Sequence, residues 1–301
     1  MSRMPFLRRG RRGNIGRLFM RLAQELVAGQ KHLATLPDLY YKLRQALADP
    51  EVRVSELARL IENDPSLTAT LLQVANSAFY GFPRRIETVS RAISLIGLDQ
   101  VGEIVLTATL AGAFHGIRPR RMDMDRFWRG SIRRALMCRQ FARHLGAREA
   151  ERAFVIGLLS DMGHLVMYHA VPDLMGIVLD MGQENLNELA EKERSIVGCD
   201  FAEVGAALCS SWHLPEHIGQ VIGAQLDPLS APEGLHEEAA RLNLAISVTE
   251  LLARGETVTA GISVLDEDAP ELSGVDLALL PVLAEHCEAQ LDSVLRSLGL
   301  S

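Results

Sequence analysis

The sequence predicts an all-α fold, and three observations carry that expectation. Apolar residues recur at three- and four-residue steps through most of the chain, the pattern of helices that bury one face. No stretch alternates apolar and polar residues over a strand's length, as a half-buried strand would. Helix starters and breakers, among them Asp38 after Pro37, Asp49-Pro50, Asp64-Pro65, Gly81 and Gly255, fall at ordinary helix spacing.

Residues 1–31 read as a basic, disordered arm. Positions 1–22 hold seven arginines and no acidic residue, so the segment repels itself and offers few apolar anchors. It could grip phosphates or an anionic membrane surface, or serve only as a solvated tail. Leu36-Pro37-Asp38 opens the first amphipathic helix, which ends at Asp49-Pro50 because a residue before proline disfavours continued helix. Ser55 is expected to cap a helix over Glu56 to Glu62. Asp64 caps the next, with Pro65 at its first position, and that helix is expected to run to about Tyr80. The pair invites a helix-turn-helix reading, but Leu60 to Pro83 contains no Lys or Arg, and a recognition helix needs such groups for bases and phosphates. Nucleic-acid reading is therefore disfavoured. Asp99 is expected to cap a helix through Leu110 that ends near His115, and an Arg-rich connection leads to Asp125-Arg126-Phe127-Trp128. Residues 156 to 167 read as one largely buried helix broken only by the polar Ser160, Asp161 and His164. The last quarter holds three arginines against thirteen acidic residues. It continues as an amphipathic helix from Glu237 to Ala253 and a leucine-rich one after Val275, which packs onto the body or forms a dimer or partner surface.

Composition bounds the function. Apolar residues make up 48% of the 301, which suits a folded globular chain. The four cysteines form no Cys-x-x-Cys pair, so neither a disulfide framework nor a zinc ribbon is indicated, and a reducing cytoplasm is the expected location. The longest candidate apolar run, Ile104 to Phe114, is shorter than the roughly 18 residues of a membrane span. No nucleophile elbow, phosphate-binding loop or dinucleotide fingerprint is present.

Several stretches carry a resemblance: Asp64-Pro65-Ser66-Leu67-Thr68; Val74-Ala75-Asn76-Ser77-Ala78-Phe79-Tyr80-Gly81; Ala92-Ile93-Ser94-Leu95-Ile96-Gly97; Gly157-Leu158-Leu159-Ser160-Asp161-Met162-Gly163-His164-Leu165; Asp200 to Ala206; and Trp212 to Glu216. Together they resemble the HDOD domain, the HD-related output domain of bacterial signalling proteins, over roughly residues 32–228. The resemblance implies an N-terminal helical subdomain (32–121) and an HD-like subdomain (122–228), with residues 229–301 as an acidic helical extension. It also implies a setting in cyclic-dinucleotide or two-component signalling. In the HD pattern, a His after the aromatic pair and an adjacent His-Asp ligate a divalent cation. Here those His positions hold Gly130 and Ser160, the signature Lys is His164, and Phe201, His213 and Ala224-Gln225 stand where the HDOD pattern has His, Gly and a His pair.

A divalent cation site needs at least three His or carboxylate ligands, and of the expected ones Asp161 remains. No metal, cofactor or catalytic residue is therefore expected. A buried carboxylate without a partner costs several kcal/mol, so Asp161 should be bonded either to backbone amides or to a cation in the metal's place. Arg129, Arg133, Arg134 and a protonated His164 are the candidates, and Asp161→Asn should be mild if backbone bonds dominate. Asn76, Ser77, Phe79, Arg84 and Arg85 are the candidate ligand- or partner-binding residues, with a plain structural clamp as the alternative for Asn76 and Ser77. The expected function is a non-catalytic regulatory module that binds a signalling protein or small ligand, with a cyclic-dinucleotide-related ligand and a homodimer among the options. The alternatives are a metal-dependent nucleotide phosphohydrolase retaining Asp161, and a nucleic-acid or membrane binder working through the arginine arm.

Overall fold

The computed structural model describes residues 22–30, 36–47, 49, 51–77, 80–113, 117–146, 150–182, 185–258 and 268–300. The arginine arm up to Arg21 lies outside them, as does Phe79. The described residues contain helices and no strand. In chain order these are α1 (22–28), α2 (Asp38–Leu47), α3 (Val54–Glu62), α4 (Pro65–Ala75), α5 (Val89–Ile96), α6 (Leu98–Ala113), α7 (Met124–His144), α8 (Ala150–Leu159), α9 (Met162–Ala170), α10 (Pro172–Asp180), α11 (Leu186–Ile196), α12 (Phe201–Ser211), α13 (Glu216–Gly223), α14 (His236–Ala253), α15 (Asp268–Ser273) and α16 (Leu280–Ser297).

Helices α2 to α6 pack on one another, α3 against α5 and α4 against α6. The second half is built around α7, which lies along α8, while α9, α12 and α13 form the layer behind. The C-terminal helices α14 and α16 also pack on α7, and α16 reaches back to α4. One apolar cluster runs through all of it, from Ala23 on α1 to Leu298 after α16.

Several boundaries differ from expectation for local reasons. Residues 22–28, expected within the disordered arm, are helical and bury Ala23 and Val27, one turn apart on one face. Helix α3 begins at Val54 and Ser55 makes no cap; α6 begins at Leu98, so Asp99 lies inside it. Asp64 does cap α4, accepting from the Leu67 amide at 3.0 Å. That helix stops at Ala75 rather than near Tyr80, because the Asn76 side chain turns out to the next loop: it accepts from the Ile86 amide (2.7 Å) and donates to the Ile86 carbonyl (2.8 Å). Helix α14 is buried on more than one face, Leu242, Leu244, Ile246 and Val248 among its buried residues, so its two-sided apolar pattern reports enclosure and not amphipathicity. Residues 150–170 are long and apolar enough to span a bilayer, and longer than the stretch singled out in the sequence, yet 78% of the qualifying window is buried inside the fold.

The run expected as one helix over 156–167 breaks between α8 and α9 at Ser160-Asp161. Two glycines set the position of this elbow. A Cβ on Gly157 would stand 2.6 Å from the Arg134 carbonyl oxygen of α7, and one on Gly163 would stand 1.8 Å from the Phe201 carbonyl oxygen of α12. Both obstructions are backbone and cannot swing away, so only glycine lets α8 and α9 approach their neighbours this closely. At position 213, where the HDOD pattern has glycine, His213 adopts φ 54. Such a left-handed backbone costs a non-glycine residue on the order of 1 kcal/mol, and its ring meets Tyr41 of α2 edge-on at 6.2 Å.

Gly163→Ala is expected to destabilise the protein by about 3 kcal/mol or more, as forced overpacking against backbone does. Gly112→Ala, on α6 with open space around the added methyl, should instead stabilise by about 0.5–1 kcal/mol. Chemical denaturation of both variants checks the contrast.

Candidate functional site

The site begins with the orientation of α7. Asp123 caps this helix, accepting from the Asp125 and Arg126 amides. Arg129 and Arg133 are four residues apart and share a face, which α16 covers: Arg129 pairs with Asp292 at 3.0 Å, and Arg133 grips Glu288 with two bonds of 2.6 and 3.0 Å. Arg134, about 100° further round, therefore points into the HD-like half toward the Ser160-Asp161 elbow.

There its guanidinium donates to Asp161 Oδ2 at 3.1 Å, lies 3.5 Å from Ser160 Oγ and 3.9 Å from Glu250 of α14. The other Asp161 oxygen meets His164 Nδ1 at 2.5 Å. On the far side of the same ring, Nε2 stands 3.0 Å from Glu193 Oε1 of α11, close enough for an ion pair though out of line for a good hydrogen bond. Glu193 Oε2 accepts from the Phe201 amide at the start of α12 (2.9 Å). The Phe201 ring stacks on His164, with centroids 4.1 Å apart and planes 14° from parallel. Ser160 is used structurally: its hydroxyl donates to the Gly157 carbonyl, and its carbonyl accepts from the buried Gln225 amide. Gln225 in turn accepts through its backbone carbonyl from Asn243 of α14.

The result is a mostly buried chain of alternating charge: Arg134, Asp161, His164, Glu193. Both ring nitrogens of His164 face carboxylates, so both must carry protons. Burial disfavours the imidazolium, but Glu193 and Asp161 outweigh it and push His164 up to about 10. Burial also disfavours ionised Asp161, yet Arg134 and His164 hold it well below the usual carboxylate range. With His164 charged, the four side chains sum to zero, the condition under which such a cluster can be buried.

This donor set does not fit a divalent cation. Among the described residues no three His, Cys, Asp or Glu gather as ligands, and the Arg134 guanidinium already occupies one face of Asp161. A Cβ on Gly130, one turn before Arg134 on α7, would lie 3.4 Å from a guanidinium nitrogen, so a methyl would only touch the arginine, whereas a larger side chain such as His would compete with it for the same space. Of the candidate cations, Arg134 and His164 reach Asp161, whereas Arg129 and Arg133 face α16. Asp161 makes no bond to the amides at the start of α9, so the backbone alternative is overturned. The sequence reading missed Glu193, and it marked Gln225 as a departure from the HDOD pattern without giving it a role. Glu193 was visible as a charge on the face that also carries Leu189 and Ala190, all three buried; the bond from Gln225 to the Ser160 carbonyl depends on tertiary packing.

The other candidate residues lie apart, in the N-terminal half. Asn76 clamps Ile86, and the Ser77 hydroxyl donates to the Val74 carbonyl at 2.7 Å. Arg84 and Arg85 are exposed on the loop that Asn76 holds.

Asp161→Ala should cost about 3 kcal/mol or more, because it strands two buried cations, and Asp161→Asn should cost nearly as much, since a neutral amide cannot balance them. The pH dependence has a definite sign. The raised His164 contributes stability that is complete below about pH 6.5 and is lost as pH rises toward 10. The lowered Asp161 contributes stability present above about pH 4 and lost on acidification. Denaturation midpoints should therefore fall from pH 6.5 to 10 in the parent, with a shallower fall in His164→Gln.

Comparison with known proteins agrees with this architecture. The HDOD domain family model matches residues 33–228. An HDOD domain protein of unknown function from Geobacter sulfurreducens has the same fold, with a TM-score of 0.74 and 22% identity over 94% of this chain and 98% of that one. A Shewanella amazonensis protein provisionally named a phosphohydrolase gives 0.73 and 23% over 91% and 98%. An uncharacterized protein of Treponema pallidum is 24% identical over 214 residues, 71% of this chain; the match spans 41% of that longer protein. With the family model covering well over half of the sequence and the helical architecture in agreement, this chain is a member of the HDOD domain family.

Proposed function

We propose that this HDOD protein is a non-catalytic regulatory module that acts by binding a signalling partner or small ligand. The observation that carries the reading is the Arg134 guanidinium seated on Asp161 where the HD pattern would place a metal. A guanidinium neutralises the carboxylate and ties α7 to the elbow, but it neither acidifies a bound water nor polarises a phosphoryl oxygen as a metal does. What the fold retains at this position is a rigid cross-brace. The HDOD family's association with bacterial signalling supplies the setting, and the acidic C-terminal helices packed on α7 add a second layer over the same brace.

Metal analysis of the purified protein, with hydrolysis assays on cyclic dinucleotides and phosphomonoesters, tests this reading. The expected result is no stoichiometric iron, manganese or zinc and no turnover. One equivalent of tightly held metal, with hydrolysis abolished by Asp161→Ala, would overturn it.

A further inference from the structure

A second site lies away from the Asp161 brace. The C-terminal end of α16 and the Asn76-clamped loop enclose an open groove of about 790 Å³, whose lining includes Gln73, Asn76, Arg85, Glu87, Ser293 and Arg296. Arg85, on the loop, and Arg296, on α16, both line it and come from distant parts of the sequence. Seven arginines of the second half of the fold, Arg121, Arg129, Arg133, Arg134, Arg143, Arg152 and Arg194, each pair with a carboxylate. Neither Arg85 nor Arg296 has an ion-pair partner among the described residues. The loop bearing Arg85 is also fixed in advance, because Asn76 bonds both the amide and the carbonyl of Ile86, the next residue. The backbone there needs no further ordering when the exposed Arg85 side chain takes up an anion.

We infer that this groove binds a small phosphorylated ligand, held between Arg85 and Arg296. Guanidinium groups match phosphate oxygens in pairs of parallel hydrogen bonds, and two of them facing one space would hold one or two phosphoryl groups. Glu87 places an acceptor beside them for a hydroxyl or amino group of the same ligand. The volume is that of a small-molecule site. The inference deepens the ligand-binding part of the proposed function and rests on it.

The test is calorimetric titration of the full chain at low ionic strength with pyrophosphate and with ADP. Saturable binding of at least one of them is expected, weakened about tenfold or more in both Arg85→Gln and Arg296→Gln, as loss of a charge-assisted contact implies. It should be unchanged in Arg91→Gln, an exposed arginine on α5 outside the groove. Absence of saturable binding to either probe, or equal losses in Arg91→Gln, would overturn the site. Tighter binding of a single-stranded oligonucleotide through the same two arginines would overturn the small-ligand assignment. Phosphate release is followed in the same samples: turnover would refute the non-catalytic reading, while dependence on Arg85 and Arg296 decides the groove separately.

Discussion

The fold depends on a chain of buried opposite charges that begins at Arg134 and ends at the amide of Phe201. Each ion taken from water costs several kcal/mol on its own, and the cost is offset only because every charge lies between two of the opposite sign or against a backbone dipole. Five elements meet there. Arg134 comes from α7, Asp161 and His164 from the elbow and α9, Glu193 from α11, and the amide from α12, with Glu250 of α14 nearby. The close backbone contacts at Gly157 and Gly163 bring these helices within reach of one another. Moving any one helix outward would leave a buried charge unmatched, so the cluster specifies register as well as cohesion.

The charge imbalance along the sequence has a structural counterpart. Helix α7 carries its arginines on two faces, and the acidic C-terminal segment meets the outer one through Asp292 and Glu288. The exposed Arg129–Asp292 pair contributes little stability by itself, and the half-buried, two-bond Arg133–Glu288 pair contributes more; what mainly fastens α16 is the burial of Leu280, Leu283, Leu291, Val294 and Leu295, each worth about 1.5–3 kcal/mol. The ion pairs choose the face, and the leucines hold it. The extension lies beyond the family-matched residues but belongs to the same apolar core, so most of its leucines are spent within the chain and do not by themselves call for a dimer. Its last turns also build one wall of the Arg85 groove.

Much of this was legible in the sequence. Helical periodicity gave the fold class, Asp64-Pro65 marked a real cap, and the departures at Gly130, Ser160 and His164 pointed to the place where the HD-like half differs in chemistry. The requirement that Asp161 have a partner followed from desolvation alone. Other features depended on tertiary geometry that local patterns do not encode. Choosing Arg134 over Arg129 and Arg133 requires the rotation of α7 about its axis, which the packing of α16 fixes. The end of α4 at Ala75 depends on Asn76 finding Ile86 ten residues on. The roles of Phe201 and Gln225 emerge only when α12 and the end of α13 are laid against the elbow, where several departures from the HDOD pattern converge.

The most direct test of the account is a double-mutant cycle between Arg134 and Asp161, with methionine at each position and both together, followed by equilibrium denaturation. If the guanidinium has taken over the metal's structural role, each single variant is strongly destabilised and the double variant recovers part of the loss, with a coupling of about 2 kcal/mol or more. Additive single losses, or singles within about 0.5 kcal/mol of the parent as at an ordinary surface site, would show that the two groups do not form the brace on which the account rests.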